Sequence, residues 1–345
     1  MTVWRIYADP PQSDPGLSRS ERKVRARDRR DEISFTDALE TAGTGYVVWM
    51  CADALDAVAG PSGVVLDAGH VDDCLPGPWE SDLLDLAVQR EMGGGAAEAM
   101  AEGYQQGVAA VASEPLHAAR AEALRRSRAL ADKVAPEAAQ SPVTAVRRLV
   151  SPGARLRRDR IEARWGSPVE TGADLASELA QYRESLPESD ARLLAQYRVA
   201  DAVAGGGGQL LVLLARGSEG DDVLLLEASP AQPSTREEVF GAWRDGSDVQ
   251  RVLLAREAVP LVPFEFAGWS TSTDGAVARV WSRARAATAP PDLGGRRARA
   301  RRLGAVLGLL HASQGDAVSL AGYVGHSRKF PLAVRDAVLA ARADS

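Results

Sequence analysis

Two uninterrupted apolar runs constrain the fold of this chain more than any other feature. QLLVLLA (209–215) and VLLLEA (223–228) are separated by a Gly-Asp turn, and turn residues bound each run. Aliphatic runs of this length, without the polar alternation of a half-exposed strand, are typical of buried β-strands. Together with the preceding DARLLAQYRVADAVA (190–204), they predict three consecutive strands, the first two joined by a glycine loop.

Two further strands complete the predicted sheet. PLVPFEFAGWS (260–270) and GAVARVWSRA (275–284) are joined by TDG, and a helical excursion at 235–258 precedes them. The result is a compact five-stranded antiparallel sheet.

A second, smaller strand pair is predicted nearer the N-terminus. YVVWMCADAL (46–55) reads as a strand, PSG as a turn and VVLDA (64–68) as its hairpin partner. Helices follow, the first with Ser81 or Asp82 able to cap its first turn. The fold class predicted from this order of elements is α+β with two lobes.

The predicted organisation has five parts. Residues 1–32 form a flexible basic arm, 33–150 a helical-lobe part with the hairpin, and 151–190 a connection between lobes with a helix. Residues 191–290 form the five-stranded sheet lobe with its glycine loop, and 291–345 are helices that complete the helical lobe. A chain of 345 residues is long enough for two packed units.

Composition disfavours several classes of protein. The net charge of −6 argues against a dedicated nucleic-acid binder, whose surface normally carries a basic excess. No run of 18 apolar residues and no secretion-signal layout are present, so we expect a cytoplasmic protein outside the membrane. The two cysteines have no metal-finger spacing, which fits a reducing compartment. The chain has only three lysines and no asparagine.

The glycine run is one candidate binding element. Gly205, Gly206, Gly207 and Gly208 lie between two strands, where backbone N–H groups could approach a phosphate. The spacing fits neither a P-loop nor a dinucleotide fingerprint, but strand-glycine-strand is the layout of a kinase lid over ATP. A kinase lid needs a lysine on the following strand, which is absent here, so Arg279 or Arg285 would have to supply the charge. The alternative is a plain flexible hairpin loop.

The acidic turn LDAGHVDD is the second candidate. Asp67, His70 and Asp72 could gather a divalent cation, and Asp53, one hairpin away, could act as a catalytic carboxylate. A histidine in the turn suits zinc or iron better than magnesium. The alternative is a solvated turn whose aspartates cap the next helix. For His311, at a helix end, we expect a hydrogen-bonded structural imidazole.

Several motifs resemble one bacterial family. They are PGPWESDLLDLA, YRVADA, AGGGGQ, LLLEASPAQPS, VQRVLLARE with FAGW, and LLHASQGDAVSLAGYVGHSRKF. Over roughly residues 46–343 the chain is similar to the family known as domain of unknown function 2252. The resemblance implies a two-lobed kinase-like fold, similar to aminoglycoside phosphotransferases, with its segments in permuted order. If the site is active, ATP and Mg²⁺ are the cofactors implied.

When the family's motifs are compared with this sequence residue by residue, the resemblance implies that most of the catalytic and ligand-binding side chains are missing. Of the chemical groups in the family motif at CADAL, a catalytic-loop-like segment, only Asp53 remains. His70 stands where the family has a metal-binding aspartate, Ser229 where it has a lysine, and Pro230 where it has a glutamate. The architectural residues that persist are Pro76, Gly77, Pro78, Trp79, Glu80, Asp82, Gly322 and Tyr323. Asp82 resembles a buried aspartate that braces the catalytic loop.

Three functions remain open at this stage. The first is a degenerate phosphotransfer site in a pseudoenzyme that works by binding, with another protein as its partner. The second is an ATP-dependent phosphotransferase with Asp53 as base, Asp67 or Asp72 as metal ligand and Arg279 as phosphate clamp. The third is a transition-metal enzyme centred on His70 with Asp67 and Asp72. Losing two or three electrostatic contacts, each worth about 3 kcal/mol in the transition state, favours the first.

Overall fold

The structure of the protein is a computed structural model that describes most of the chain from Val47 onward. The described residues are 47–60, 63–90, 92–132, 149–151, 153–157, 165–168, 173–217, 222–240, 242–243, 246–273, 275–285 and 295–343. The predicted basic arm at 1–32 lies outside them.

Four short strands open the described part of the chain. They are β1 (Val47–Met50), β2 (Leu55–Gly60), β3 (Gly63–Ala68) and β4 (Leu75–Pro78). β2 pairs with β3, whereas β1 pairs antiparallel with β4. The prediction of one strand over 46–55 paired with 64–68 is therefore wrong. A 3₁₀ turn at Ala52–Ala54 breaks the run, and its two halves join different partners.

Three helices follow these strands. They are α1 (Trp79–Gln89), α2 (Gly94–Ala112) and α3 (Leu116–Asp132). Gly93 separates the first two helices as the N-cap residue of α2. The predicted cap is wrong, because α1 begins after Pro78 without a side-chain cap and Asp82 binds another segment instead.

The middle of the chain forms the main sheet. Its elements are β5 (Val150–Ser151), β6 (Arg155–Leu156), β7 (Trp165–Pro168), α4 (Ala173–Glu184), α5 (Glu188–Leu194), β8 (Arg198–Gly205), β9 (Leu210–Arg216), β10 (Asp222–Pro230), α6 (Glu237–Phe240), α7 (Asp248–Ala258), β11 (Gly268–Thr271) and β12 (Ala278–Arg283). Six of these strands form one antiparallel sheet in the order β11-β12-β10-β9-β8-β7. The predicted five strands were one too few, because β7 comes from a stretch that was interpreted as connection.

The central strands are buried on both faces, which explains their uninterrupted apolar runs. In β9, Leu210, Val212 and Leu214 pack on the side of α4, in a cluster with Leu175 and Tyr182. The alternate residues Leu211 and Leu213 point to the other face, where they pack with Ala154 and Leu156 of the β5–β6 hairpin. Both faces of β9 are therefore covered by apolar side chains.

One edge of this sheet is covered by side chains of α4 and of Ser185, the residue that follows it. β11 is the edge strand, and its outward N–H groups would otherwise be free to pair with another chain. The Ser185 hydroxyl accepts a hydrogen bond from Trp269 N at 2.8 Å, and Gln181 Oε1 accepts one from Thr271 N at 2.5 Å. The helix therefore blocks addition of a further strand here.

Two predicted elements differ in detail from the structure. The helix predicted at 235–258 is divided into α6 and α7, and Gly246, with a φ of +143°, lies before the second of them. α7 then starts with a capping box between Ser247 and Gln250. The strand predicted from residue 190 begins only at Arg198, because the preceding residues form α5.

Three helices end the chain, and one of them packs very closely on α2. They are α8 (Arg296–Gln314), α9 (Ala317–Val324) and α10 (Lys329–Ala343). Gly103 and Gly107 of α2 face Gly304 and Gly308 of α8, and at each glycine an added Cβ would collide with a backbone carbonyl of the opposite helix. Both helices therefore carry glycines four residues apart that allow the backbones to touch. None of the described helices has the length and apolar character needed to cross a membrane.

Candidate functional site

Asp82 is a fully buried carboxylate in the first turn of α1, and it holds the turn that follows β1. Its Oδ2 accepts a hydrogen bond from Cys51 N at 2.7 Å, and its Oδ1 accepts one from Ala52 N at 3.0 Å. These two residues immediately precede Asp53, whose side chain lies outside the described part of the chain. Two charge-assisted bonds of this kind fix the backbone conformation of the turn that carries Asp53.

A buried hydrogen-bond chain connects Asp82 to two other helices. His311 Nε2 of α8 lies 2.9 Å from Asp82 Oδ2, and His311 Nδ1 lies 2.8 Å from the Tyr104 hydroxyl of α2. All three side chains are 0% exposed, so none exchanges these partners for water. The close glycine packing of α2 on α8 sets this geometry, since Gly308 touches the backbone of Tyr104.

The architectural residues identified from the sequence lie in β4, α1 and α9. Trp79 is buried and stacks on Tyr104, with ring centroids 5.7 Å apart. Pro76, Gly77 and Pro78 form most of β4, where Gly77 leaves room for the Met50 side chain. Gly322 and Tyr323 lie in α9, with Tyr323 buried.

Charged groups also surround Asp82. Arg236 Nη2 lies 3.5 Å from Asp82 Oδ1, and its Nη1 forms a 2.6 Å ion pair with Asp85 Oδ2. The shorter distance to Asp85 makes that residue the main counter-ion of Arg236. The ligand atoms of Cys51, Asp82 and His311 all lie within 4.8 Å of one another.

Asp72, in the acidic turn, binds groups from β10 and α7. Its Oδ2 accepts a 2.5 Å hydrogen bond from the Ser229 hydroxyl, and its Oδ1 pairs with Arg256 Nη2 at 3.0 Å. Burial raises the pKa of Asp72, but Arg256 and Ser229 together lower it by more, so its pKa lies below the ordinary 3.8. The carboxylate is therefore ionised and already neutralised within the chain at pH 7.

The rest of the acidic turn is attached to the same segments. Both oxygens of the Asp73 carboxylate accept hydrogen bonds from Thr235, one from its backbone N–H and one from its hydroxyl. The fully buried Arg251 donates to the carbonyl oxygens of Asp72 and Cys74, at 2.9 and 2.7 Å. The acidic turn therefore connects the small strand pairs to the segments that follow β10 of the main sheet, through Thr235 and Arg251.

Asp67 is buried and occupied by backbone groups. Its carboxylate accepts hydrogen bonds from the N–H groups of Ala68, Leu261 and Val262, and Arg285 Nη2 lies 3.4 Å from Oδ2. Burial raises the pKa of Asp67, although Arg285 and the three N–H groups oppose that change. The residue therefore anchors the segment that leads from α7 to β11.

The two arginines that neutralise these aspartates flank one aromatic ring. The guanidinium carbon of Arg285 lies 4.1 Å from the centroid of Phe264, and that of Arg256 lies 5.0 Å from it. Cation–π contact supports both arginines in a largely buried position. Arg256 Nε and Nη1 are buried, and no described residue accepts a hydrogen bond from either, which indicates that the ring and not solvent faces them.

The glycine loop lies next to Ser229. Gly207 and Gly208 have φ values of +69° and +82°, a conformation that favours glycine, and Gly208 packs against Pro230. Arg279 Nε donates to the Gly208 carbonyl at 3.1 Å, while its Nη1 pairs with Glu178 at 2.6 Å. The arginine predicted as a phosphate clamp thus already has an acid and a carbonyl as partners.

The structure separates the residues that were predicted to bind a metal ion. His70 is exposed, and among the described residues the three groups Asp67, His70 and Asp72 do not converge on one point. Asp67 is held by backbone N–H groups and Arg285, and Asp72 by Ser229 and Arg256. Because these three groups do not converge among the described residues, the geometry of the turn lends no support to a shared metal site there.

Sequence reasoning did not identify Arg256 and Arg251, which complete the acidic turn, or the cluster around Cys51. Arginine is common in this chain, so no local pattern distinguishes those that reach a buried acid. The helix pairing was detectable, because Gly103 and Gly107 repeat the four-residue spacing of Gly304 and Gly308.

A family model described as "Uncharacterized protein conserved in bacteria (DUF2252)" matches residues 34–344. No curated protein and no solved structure matches the chain. Because the match spans most of the 345 residues, with the acidic turn, the glycine loop and the buried Asp82 all inside it, the chain belongs to the DUF2252 family.

Proposed function

We propose that this protein is a pseudoenzyme: a kinase-like, two-lobed scaffold whose phosphotransfer site is degenerate and which acts by binding another protein. The observation that carries the proposal is the pairing of Asp72 with Ser229 and Arg256. A carboxylate that holds Mg²⁺ for phosphoryl transfer must present free oxygens to the metal. Here both oxygens of Asp72 have partners within the chain.

The cationic side of the site supports the same proposal. The resemblance puts a phosphate-binding lysine at Ser229, whose hydroxyl here donates to Asp72. Arg279 and Arg285, the candidate replacements, are paired with Glu178 and Asp67. Phosphoryl transfer depends on positioning and charge stabilisation, so a site whose cations are already neutralised has little left with which to stabilise the transition state.

The test is a titration of the full chain with MgATP in a thermal-shift assay, together with a labelled phosphate-transfer assay. The expected result is no change in melting temperature with nucleotide concentration and no transfer. Stabilisation that grows with the logarithm of MgATP concentration would overturn the proposal. So would phosphate transfer that disappears in Asp53→Ala.

An active phosphotransferase is the second candidate, and the backbone of the glycine loop favours it. Gly207 and Gly208 are exposed and have positive φ, a backbone conformation that also occurs in anion-binding nests, and Gly208 lies next to Pro230. Asp53 would be the base, Asp72 the metal ligand and Arg279 the clamp. This candidate requires Arg256 to leave Asp72. If the protein is an active phosphotransferase, Arg256→Met should therefore increase its affinity for MgATP. Arg216→Met, which changes an arginine on the sheet surface, is the control.

A further inference from the structure

We propose that Cys51, Asp82 and His311 form a binding site for one divalent transition-metal ion, for which zinc is the best match. The sulfur of Cys51, a carboxylate oxygen of Asp82 and a ring nitrogen of His311 lie within 4.8 Å of one another. All three residues are 0% exposed. Among the described residues no other group of three cysteine, histidine, aspartate or glutamate side chains converges in this way.

The chemistry of the donors selects the metal. A thiolate, an imidazole and a carboxylate are ligands that zinc accepts together, whereas magnesium and calcium prefer oxygen alone. Three protein ligands and a fourth position make a tetrahedral site. The site lies apart from the acidic turn, and it was not apparent in the sequence because its three residues are separated by 31 and 229 positions.

A second group is already in place to orient the histidine. The Tyr104 hydroxyl lies 2.8 Å from His311 Nδ1, on the side of the ring away from Asp82. Metal-binding histidines usually form such a bond through the nitrogen that does not bind the metal. On metal binding, the ring proton would reside on Nδ1 and be donated to Tyr104, and Cys51 would release its thiol proton to solvent.

The charges around the cluster favour a cation. Asp82 and Asp85 each carry −1 and Arg236 carries +1, so this group has a net charge of −1 when Cys51 and His311 are neutral. A metal ion adds +2 and the Cys51 thiolate −1, which gives −1 + 2 − 1 = 0. Arg236 lies closer to Asp85 than to Asp82. The negative charge of Asp85 therefore offsets much of the positive potential that Arg236 produces at Asp82.

The ion would join three elements at one point. Cys51 leaves β1, Asp82 lies in α1 and His311 lies in α8. Bound metal would therefore stabilise the turn that carries Asp53, whether or not that turn acts on a nucleotide. The inference is thus independent of the outcome with MgATP.

The test uses the full chain, stripped of metal with a chelator and titrated with Co²⁺ as a spectroscopic substitute for zinc. The expected result is uptake of one Co²⁺ per chain with a thiolate-to-cobalt charge-transfer absorption, and a rise in melting temperature with Zn²⁺ alone. Cys51→Ser should lose the charge-transfer band, whereas Cys74→Ser, at the other buried cysteine, should keep it. Tyr104→Phe should weaken the Co²⁺ affinity by about 10- to 100-fold.

Each alternative outcome contradicts the proposal. If the folded, stripped chain takes up no Co²⁺, the cluster is a structural hydrogen-bond network and not a metal site. If Co²⁺ binds without a thiolate band, or if the band survives in Cys51→Ser, the metal is elsewhere. Circular dichroism of each variant shows whether a loss of binding comes from unfolding, and Tyr104→Phe keeps the test valid if Cys51→Ser does not fold.

Discussion

Replacing Gly308 with alanine should destabilise the protein by forcing α2 and α8 apart. The added Cβ would lie 2.5 Å from the carbonyl oxygen of Tyr104 and 3.1 Å from Val108 N, whereas ordinary contact begins at 3.4 Å. The local separation required is therefore about 0.9 Å, the difference between 3.4 and 2.5 Å. The atoms that the new methyl group would meet belong to the backbone of α2, so no side-chain rotation can make room for it.

The magnitude follows from two costs and one gain. Overpacking in a well-packed interior costs about 1–3 kcal/mol. Moving the helices apart also weakens the buried bond between Tyr104 and His311, whose loss costs about 1–3 kcal/mol. Alanine is a better helix former than glycine by about 1 kcal/mol. The expected net loss in the free energy of unfolding is about 1–5 kcal/mol.

Urea unfolding followed by tryptophan fluorescence measures this change, and Gly95→Ala is the matched control. Gly95 also lies in α2, but an added Cβ there meets nothing within 4 Å. The control should stabilise the protein by about 0.5–1 kcal/mol through helix propensity alone. A Gly308→Ala variant as stable as the wild type, or stabilised like the control, would refute the reasoning.

Three further predictions concern other buried or edge contacts. Asp82→Asn should lower the free energy of unfolding by about 3–5 kcal/mol, measured by urea unfolding at pH 7. The substitution removes the buried negative charge that Arg236 and the surrounding N–H donors contact. A loss below about 1 kcal/mol would argue that Asp82 does not brace the turn after β1. The pKa of Asp72 is lowered on folding, so its ionisation stabilises the protein above about pH 4 and this contribution is lost as the pH falls further. The stability difference between wild type and Asp72→Asn should accordingly shrink below pH 4, and a constant difference in urea midpoints would contradict it. The double variant Gln181→Ala with Ser185→Ala uncovers two N–H groups of the edge strand β11, and light scattering should detect more self-association than in either single variant.

Much of the sheet could be predicted because its signals are local. The apolar runs of β9 and β10 identify buried strands, since each residue must find an apolar environment whichever face it points to. β7 escaped detection because it is four residues long and lies in a stretch rich in glycine, proline and arginine. The split of 46–55 into β1 and β2 was also hidden, because both halves are apolar and only pairing distinguishes them.

The candidate site divides in the same way. The acids and glycines were visible as residue types, and Asp82 and His311 were expected to be structural. The partners of these residues could not be predicted, since the hydrogen bond between Asp82 and His311 spans 229 positions and leaves no periodic signal in the sequence. Asp67 and Asp72 are close in sequence, yet each is drawn to a different arginine.

The amino-acid sequence alone determined that the chain is mixed α and β and where its central strands lie. These follow from composition and from short-range periodicity, which need no knowledge of distant contacts. Only the tertiary structure decided which charges neutralise each other, because burial makes an ion pair depend on ångström-scale positions that residue types do not encode. The same holds for Cys51, Asp82 and His311, which come from the end of β1, from α1 and from α8 and meet only in the folded chain.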